Sequence, residues 1–179
     1  MKNDIARILL TEEEISEKVK SMAKELKDAY EDKNPLILCI LKGSLIFTAD
    51  IVRELDFPCE IDFMQVSSYG SSAETTGKLV IKKDVSADIA GRDVIIVEDI
   101  LDTGVTLSNL IPALLERKAN SVALCVLLNK PARRKVEVKA DYIGFEIENE
   151  FVVGYGLDYN ERYRNLPYIG ILKREVYEK

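Results

Sequence analysis

Three carboxylates lie close together in the segment VEDILDTG, residues 97–104, which continues a run of large aliphatic residues. Glu98 and Asp99 are adjacent, and Asp102 precedes a threonine and a glycine. One polar residue is enough to end a buried strand, so this group of acids indicates a chemical role. Adjacent carboxylates can accept hydrogen bonds from a vicinal diol, and they can lie beside Mg²⁺ or a developing positive charge.

The residues that follow these acids suit a different partner. The sequence Thr-Gly-Val-Thr at residues 103–106 stands at the predicted start of a helix, whose first backbone N–H groups favour an anion. The glycine allows close approach of the backbone, and the threonine hydroxyls add donors. Hydrogen-bond donors for a phosphate and acceptors for a diol, a few residues apart, together match a ribose 5-phosphate. The alternative from spacing alone is a structural turn with acids near the positive end of a helix.

The bulk composition limits the class of protein. A chain of 179 residues is long enough for one domain, and 47% hydrophobic with 31% charged residues is typical of a globular protein. The net charge of −6 argues against a broad face for nucleic acid or membrane. The first residues contain no secretory or transmembrane segment, so we expect a cytoplasmic protein.

The absence of histidine narrows the possible chemistry. No Ser-His-Asp or Cys-His nucleophile and no histidine-ligated metal can form, so proton transfer must use Asp, Glu, Lys, Tyr or Cys. A metal ion is then expected to be a hard cation on oxygen ligands. The cysteines show no metal-ligand spacing, and Cys39 and Cys125 lie in aliphatic runs typical of a core.

The order of predicted elements indicates an α/β fold. Thr11 and Glu14 form a capping box at the start of an amphipathic helix. Apolar strands that alternate with helices indicate a twisted, mainly parallel sheet of about five strands with helices on both faces. Strands are predicted at residues 36–41, 61–66, 79–82, 94–97, 122–128 and 142–145, helices at 45–55 and 106–117, and loops at 67–78 and 98–104.

Residues 94–106, VIIVEDILDTGVT, closely resemble the motif with which type I phosphoribosyltransferases bind 5-phosphoribosyl-1-diphosphate (PRPP). A hydrophobic strand, two acids, two further residues and then Asp-Thr-Gly-x-Thr make a highly specific pattern. Other segments are similar to the hypoxanthine-guanine members of that family: LKGS at 41–44, SSYGSS at 67–72, LLNKPARR at 127–134 and FVVGYGLDYNERYRNLPYIG at 151–170. The resemblance implies the type I phosphoribosyltransferase fold, as one domain over residues 1–179 with a core at about 36–145 and a small hood from the N- and C-terminal segments.

The same resemblance implies roles for the residues that would bind PRPP. Glu98 and Asp99 would hold the ribose hydroxyls, and Asp102 would act as general acid or base at N7 of a purine. The ribose-phosphate site would consist of Glu98, Asp99, Asp102, Thr103, Gly104, Val105 and Thr106. The implied pyrophosphate-binding residues are Lys42, Gly43 and Arg164.

The purine site, the metal ligands and a lid follow from the resemblance in the same way. Lys130 would donate to the purine O6, Phe151 would stack on the base, and Val152 would contact its edge through the backbone. Asp158 is implied at the purine end, where it would reach a second Mg²⁺. The implied metal ligands are Glu98, Asp99 and Asp158, and the implied lid residues are Ser68 and Tyr69.

The implied reaction is Mg²⁺-dependent transfer of phosphoribosyl from PRPP to N9 of hypoxanthine or guanine, a step of purine salvage. The implied partners are these substrates, the products IMP, GMP and pyrophosphate, and further copies of the chain in a dimer or tetramer, without nucleic acid or membrane. Two alternatives stay open. One is a phosphoribosyltransferase for another base, such as xanthine or a pyrimidine, and the other is a regulator that only binds PRPP.

Overall fold

A computed structural model describes residues 1–68 and 79–178 of the chain. Nine strands and four α-helices lie in the described part of the chain. In chain order they are β1 (Ile5–Leu10), α1 (Glu12–Tyr30), β2 (Leu36–Ile40), α2 (Leu45–Glu54), β3 (Glu60–Ser68), β4 (Leu79–Lys83), β5 (Asp93–Leu101), α3 (Val105–Glu116), β6 (Ser121–Asn129), β7 (Tyr142–Glu146), β8 (Val152–Val153), β9 (Ile169–Leu172) and α4 (Arg174–Tyr177).

The central sheet has six strands in the order β4-β3-β2-β5-β6-β7. Strands β3, β2, β5, β6 and β7 run parallel, and β4 pairs antiparallel with β3 at one edge. The predicted α/β fold with a mainly parallel sheet is therefore confirmed, with an antiparallel edge strand beside the parallel ones.

Both faces of this sheet are covered, which explains why its central strands are apolar throughout. On one face, α1 and α2 pack against a core that includes Ile37 of β2. On the other face, α3 packs against a core that includes Leu38 of the same strand. Successive side chains of a strand point to opposite faces, so β2 contributes to both cores.

The predicted capping box begins α1. The hydroxyl of Thr11 accepts the N–H of Glu14 at 3.2 Å, and the Glu14 carboxylate accepts the N–H of Thr11 at 2.8 Å. These reciprocal bonds satisfy backbone donors that have no partner within the helix. Among the helices of the described residues, none is both long and apolar enough to cross a membrane.

The N- and C-terminal segments join in a second sheet of three antiparallel strands, in the order β1-β9-β8. We call this sheet, together with residues 154–168 between β8 and β9, the hood. It has a small core of its own that includes Val153, Tyr163 and Leu172. The hood closely approaches the turn between β2 and α2, because a Cβ on Gly156 would collide with the carbonyl oxygen of Gly43.

Strand β5 continues to Leu101, so the prediction of a loop over residues 98–104 is wrong for residues 98–101. The neighbouring strand explains the difference, because Glu98 pairs with Val126 and Leu101 pairs with Asn129 in the parallel register of β5 and β6. Pairing along β6 outweighs the local preference of the acids for a loop. The first two acids therefore lie on a sheet strand, and only Asp102 lies in the turn.

Candidate active site

Glu98 and Asp99 lie near the carboxyl end of β5, at the edge of the sheet where open α/β proteins bind ligands. Burial raises the pKa of Asp99 to about 6, although the N–H of Ile100 and the charge of Arg164 oppose this rise and Asp158 adds to it. Burial, followed by the charge of Asp99, also raises the pKa of Glu98 well above its usual value. The two carboxylates would therefore be stabilised by a nearby cation or by hydroxyl donors.

The turn between β5 and α3 presents backbone donors. Gly104 has a φ of +80°, and a Cβ there would lie 2.5 Å from the carbonyl oxygen of Val136, so only glycine fits. The carbonyl oxygen of Thr103 accepts the N–H groups of Lys135 at 2.9 Å and Val136 at 3.1 Å. The first turn of α3, which lies wholly in the described chain, contains no acid. The N–H of Val105 points to Oγ1 of Thr103 at a long 3.4 Å, and the N–H groups of this first turn could bind an anion.

Cations surround the third acid, Asp102. Its Oδ1 is buried and accepts no hydrogen bond from the described residues. The Nε of Arg133 lies 3.5 Å from that oxygen in an ion pair. Arg134 donates through Nη2 to Oδ1 of Asn129 at 2.5 Å, while its buried Nη1 has no hydrogen-bond partner in the same part of the structure. A buried acceptor and a buried donor without partners suit a polar ligand at this position.

Lys130 follows β6 and lies on the same side of the β5 end. Its N–H donates to the carbonyl oxygen of Leu101 at 3.0 Å, and only 5% of the residue is exposed. Burial lowers the pKa of Lys130, while the charges of Asp102 and Glu150 oppose this shift. We call Asp102, Lys130, Arg133 and Arg134 the β6 flank of the site. Within this flank Lys130 is largely desolvated, whereas the side chain of Arg133 is exposed.

The turn between β2 and α2 lies close to Asp99, on the side of the site opposite the β6 flank. The peptide bond between Leu41 and Lys42 is cis. A Cβ on Gly43 would collide with Oδ2 of Asp99, and a Cβ on Gly156 would collide with the carbonyl oxygen of Gly43. The absence of a side chain at both glycines lets the turn, the strand end and the hood meet directly.

Both predicted pyrophosphate-binding cations of this region contact hood residues. Arg164 donates through Nη1 to the carbonyl oxygen of Gly156 at 2.7 Å, and its Nη2 lies 2.9 Å from Oδ1 of Asp158. Lys42 donates through Nζ to both carboxylate oxygens of Glu161, each at 3.1 Å. We call Lys42, Gly43, Asp158, Glu161 and Arg164 the hood flank. The structure thus brings Lys42, Gly43 and Arg164 together beside Asp99.

Phe151 and Val152 lie where the chain enters β8. The Phe151 ring stacks on Tyr177, with ring centroids 4.7 Å apart and an angle of 22° between the planes. Tyr159 meets the same ring edge-on, with centroids 5.6 Å apart. Val152 is buried and pairs with Ile171 of β9. Because Tyr177 covers one face of Phe151, a further ring can stack only on the other face.

Two further predictions from the sequence concern the lid residues and the metal ligands. The backbone of Ser68 ends β3, but residues 69–78, which include Tyr69 and most of the predicted lid, lie outside the described residues. No group of three or more Cys, Asp or Glu side chains among residues 1–68 and 79–178 could hold a metal ion by itself. Glu98, Asp99 and Asp158 therefore do not form a complete cage.

Sequence reasoning missed Arg133, Arg134, Glu161 and Tyr177. The two arginines stand in LLNKPARR and Glu161 stands in DYNERYR, so the alternation of charge beside the motif residues was the available signal. Tyr177 has no such signal, because its contact with Phe151 depends on the position of α4 in the fold.

Comparisons with known proteins identify the family of the chain. A model of the phosphoribosyl transferase domain matches residues 7–160. The chain is 52% identical over 179 residues to the bifunctional protein TilS/HprT of Listeria monocytogenes, but spans only 28% of that relative's length. It is 52% identical over 178 residues to the hypoxanthine-guanine phosphoribosyltransferase of Bacillus subtilis, with 99% of each chain covered. A crystal structure of a hypoxanthine phosphoribosyltransferase from Staphylococcus aureus matches with a TM-score of 0.97 and 49% identity, covering 100% of this chain and 97% of that one. The chain therefore belongs to the phosphoribosyltransferase family.

Proposed function

We propose that the protein transfers the phosphoribosyl group of PRPP to N9 of hypoxanthine or guanine, giving IMP or GMP and pyrophosphate in purine salvage. The observation that carries this proposal is the convergence of three kinds of group at the end of β5. Carboxylates that can accept hydrogen bonds from a diol lie on the strand. N–H groups that can donate to an anion lie at the start of α3, and a buried ammonium group follows β6. The names of the relatives from Bacillus subtilis and Staphylococcus aureus support the same reaction.

The ribose 5-phosphate part of PRPP would be held by β5 and the turn that follows. Glu98 and Asp99 accept hydrogen bonds from the ribose 2- and 3-hydroxyls. The backbone N–H groups of residues 102–106, with the hydroxyls of Thr103 and Thr106, bind the 5-phosphate. Val105 contributes through its backbone alone. Because most of this phosphate site is backbone, it tolerates changes of the neighbouring acid side chains.

The reaction forms a bond between purine N9 and ribose C1 while the bond from C1 to the pyrophosphate oxygen breaks. The departing pyrophosphate takes the electron pair and leaves positive character on the ribose, which Glu98 and Asp99 stabilise from nearby. A purine that carries its proton on N7 must lose that proton when N9 is alkylated. Asp102 accepts it, since its buried Oδ1 has no hydrogen-bond partner among the described residues.

The base would be selected by the β6 flank and the hood. Lys130 carries donors and no acceptor, so it bonds the 6-oxo group of hypoxanthine or guanine. Adenine would place its 6-amino donors against the ammonium group in a desolvated position, which costs about 1–3 kcal/mol or more. Phe151 would stack on the base through the ring face opposite Tyr177, and the backbone of Val152 would contact the purine edge.

The residues present fit Mg²⁺ as the cofactor. The available ligands are carboxylate oxygens, and burial raises the pKa values of both Glu98 and Asp99, so a bound cation would stabilise their charged forms. Glu98 and Asp99 would hold one ion, and Asp158 would reach another after it releases Arg164. Bound Mg²⁺ neutralises diphosphate charge beside these acids. The described side chains form no full cage, so the ion would need further oxygen ligands from outside the protein.

The leaving pyrophosphate would lie at the hood flank. The turn at Lys42 and Gly43 offers backbone donors close to Asp99, and Arg164 adds a guanidinium group. Ser68 and Tyr69 would belong to a lid over the reacting atoms, which keeps water from the reactive sugar.

An assay with PRPP, Mg²⁺ and a panel of bases tests the proposed function. We expect turnover of hypoxanthine and guanine, and a kcat/KM for adenine lower by roughly 10⁴-fold or more, because the site would leave a buried donor unpaired. Efficient use of adenine by the unmodified protein would show that the base pocket is misplaced. Binding of PRPP without turnover of any base would favour the regulator over the enzyme.

Lys130→Met sharpens this assay, because methionine keeps much of the side-chain length and removes the donors. We expect kcat/KM for hypoxanthine to fall roughly 10- to 100-fold, from the usual range for a lost buried hydrogen bond to a charged group. The KM for PRPP should change little. Lys139→Met is the matched control, since Lys139 is exposed on the chain between β6 and β7. An unchanged kcat/KM for hypoxanthine in the Lys130→Met variant would contradict the role of Lys130 as donor to the 6-oxo group.

A further inference from the structure

One carboxylate contacts both side chains that we assign to pyrophosphate binding. Glu161 accepts hydrogen bonds from Nζ of Lys42 through both oxygens, each at 3.1 Å, across 119 positions of sequence. The same carboxylate lies 3.5 Å from Nη2 of Arg164. The Glu161 side chain therefore bridges the two cations, as an oxygen-rich anion such as diphosphate would.

The backbone around Glu161 is shaped to support this contact. Its φ is +60°, and Asn160 and Tyr163 also have positive φ values of +51° and +79°. Residues other than glycine rarely adopt this conformation, and such strain clusters at functional sites. Oδ2 of Asp158 accepts the N–H of Glu161 at 2.9 Å and holds the turn in place.

The contact is ionic but easily opened. The hydrogen bonds from Lys42 hold the pKa of Glu161 below its usual range, so the carboxylate is charged at neutral pH. The side chains of Lys42 and Glu161 are 54% and 65% exposed, and exposed pairs of this kind are weak. A diphosphate carries more negative charge than one carboxylate and can therefore displace it.

We propose that Glu161 is an internal competitor of the diphosphate group and lowers the affinity of the site for PRPP and pyrophosphate. It bridges Lys42 and Arg164 in the free protein, moves away when the diphosphate enters, and returns as pyrophosphate leaves. This inference rests on the proposed function, which assigns Lys42 and Arg164 to the diphosphate.

The first test compares Glu161→Gln with the control Glu116→Gln, which removes an equal charge from the exposed end of α3. For Glu161→Gln we expect the KM for PRPP and the inhibition constant of pyrophosphate each to fall roughly two- to five-fold, the range for loss of an exposed ion pair. Glu116→Gln should change neither value. If Glu161 instead positioned the two cations for catalysis, both constants would rise, and the proposal would be overturned.

Direct calorimetric titration of pyrophosphate into the protein, with Mg²⁺ present, measures the same contact without turnover. Tighter binding to Glu161→Gln than to the unmodified protein and Glu116→Gln supports the competitor role, even if no base is a substrate. Equal or weaker binding overturns it. An inactive protein that still shows the expected tightening would count against the proposed transfer reaction alone, because the assignment of Lys42 and Arg164 to the diphosphate would hold.

Discussion

The two flanks of the β5 end are built from different kinds of contact. On the β6 flank, Asp102 and Lys130 follow directly after neighbouring parallel strands, and the pairing of Leu101 with Asn129 brings them together. On the hood flank, Lys42 and Glu161 meet across 119 positions through side-chain charges. Sheet register therefore fixes one flank, whereas exposed ionic contacts complete the other.

The solvent exposure of the lysine also differs between the two flanks. Lys130 is 5% exposed, whereas the side chain of Lys42 is 54% exposed. A buried donor rejects a ligand that leaves it unpaired, but an exposed cation can exchange one anion for another at little cost. We therefore expect strict selection at the β6 flank and adjustable affinity at the hood flank. The following changes test that difference.

The largest effect is expected from Asp102→Asn on the β6 flank. Asparagine keeps the shape but cannot accept the N7 proton, so kcat should fall roughly 10²- to 10⁴-fold, the usual range for a positioned acid or base. The KM for PRPP should change only a few-fold, because the backbone holds most of the phosphate. Steady-state kinetics with hypoxanthine measures both values.

Asp28→Asn provides the control for this change, since Asp28 is exposed on α1. Thermal unfolding of both variants separates a chemical defect from a folding defect. A near-normal kcat for a well-folded Asp102→Asn variant would remove Asp102 from the proton transfer. The β6 flank would then only bind the base.

A smaller effect, on stability, is expected from Asp99→Asn between the two flanks. Burial raises the pKa of Asp99 from 3.8 to about 6, so the folded state favours the protonated acid. The stability from this group is present below the unfolded pKa and is lost as the pH rises through the folded value. At about pH 8 the asparagine variant should be more stable by up to about 3 kcal/mol, although its activity falls.

Thermal unfolding at about pH 8 and about pH 5, with a chelator to remove divalent cations, measures this gain. The Tm advantage of Asp99→Asn should be several degrees at the higher pH and smaller at the lower one. A gain that does not depend on pH, or a variant that is less stable at both values, would contradict the raised pKa of Asp99.

The smallest effect is expected from Tyr177→Leu, at the aromatic pair that we assign to the base. Loss of the stacked pair with Phe151 removes about 0.5–1.5 kcal/mol of aromatic interaction, so the KM for hypoxanthine should rise roughly two- to ten-fold. Tyr177→Phe keeps the ring and should behave like the unmodified protein, and the KM for PRPP should not change in either variant. A lower KM for hypoxanthine in Tyr177→Leu would show that Tyr177 occupies the face that the base needs.

The same difference between the flanks explains how much the sequence could reveal. The acids of β5 and the glycine of the turn lie at or next to a strand end, so local patterns and a specific motif predict their positions, whereas Lys130 follows from the family resemblance. The predicted end of β5 is wrong because the pairing of Glu98 with Val126 extends the strand. Pairing between strands is not a local property of the sequence.

The hood flank could be predicted only in part. Lys42 and Arg164 follow from the family resemblance, but the bridge through Glu161 depends on a left-handed turn and on a contact between distant segments. No hydrophobic period or turn signal marks such a conformation at a glutamate. The stacking of Tyr177 on Phe151 likewise depends on how α4 packs against the hood.

The most direct test of the central claim is identification of the products formed from PRPP and hypoxanthine in the presence of Mg²⁺. Mass spectrometry and phosphorus NMR can count the nucleotide, the pyrophosphate and any free ribose 5-phosphate. We predict one IMP, with the ribose on N9, for each pyrophosphate released, and almost no ribose 5-phosphate. Consumption of PRPP without IMP, or binding of PRPP without any product, would contradict phosphoribosyl transfer to the purine.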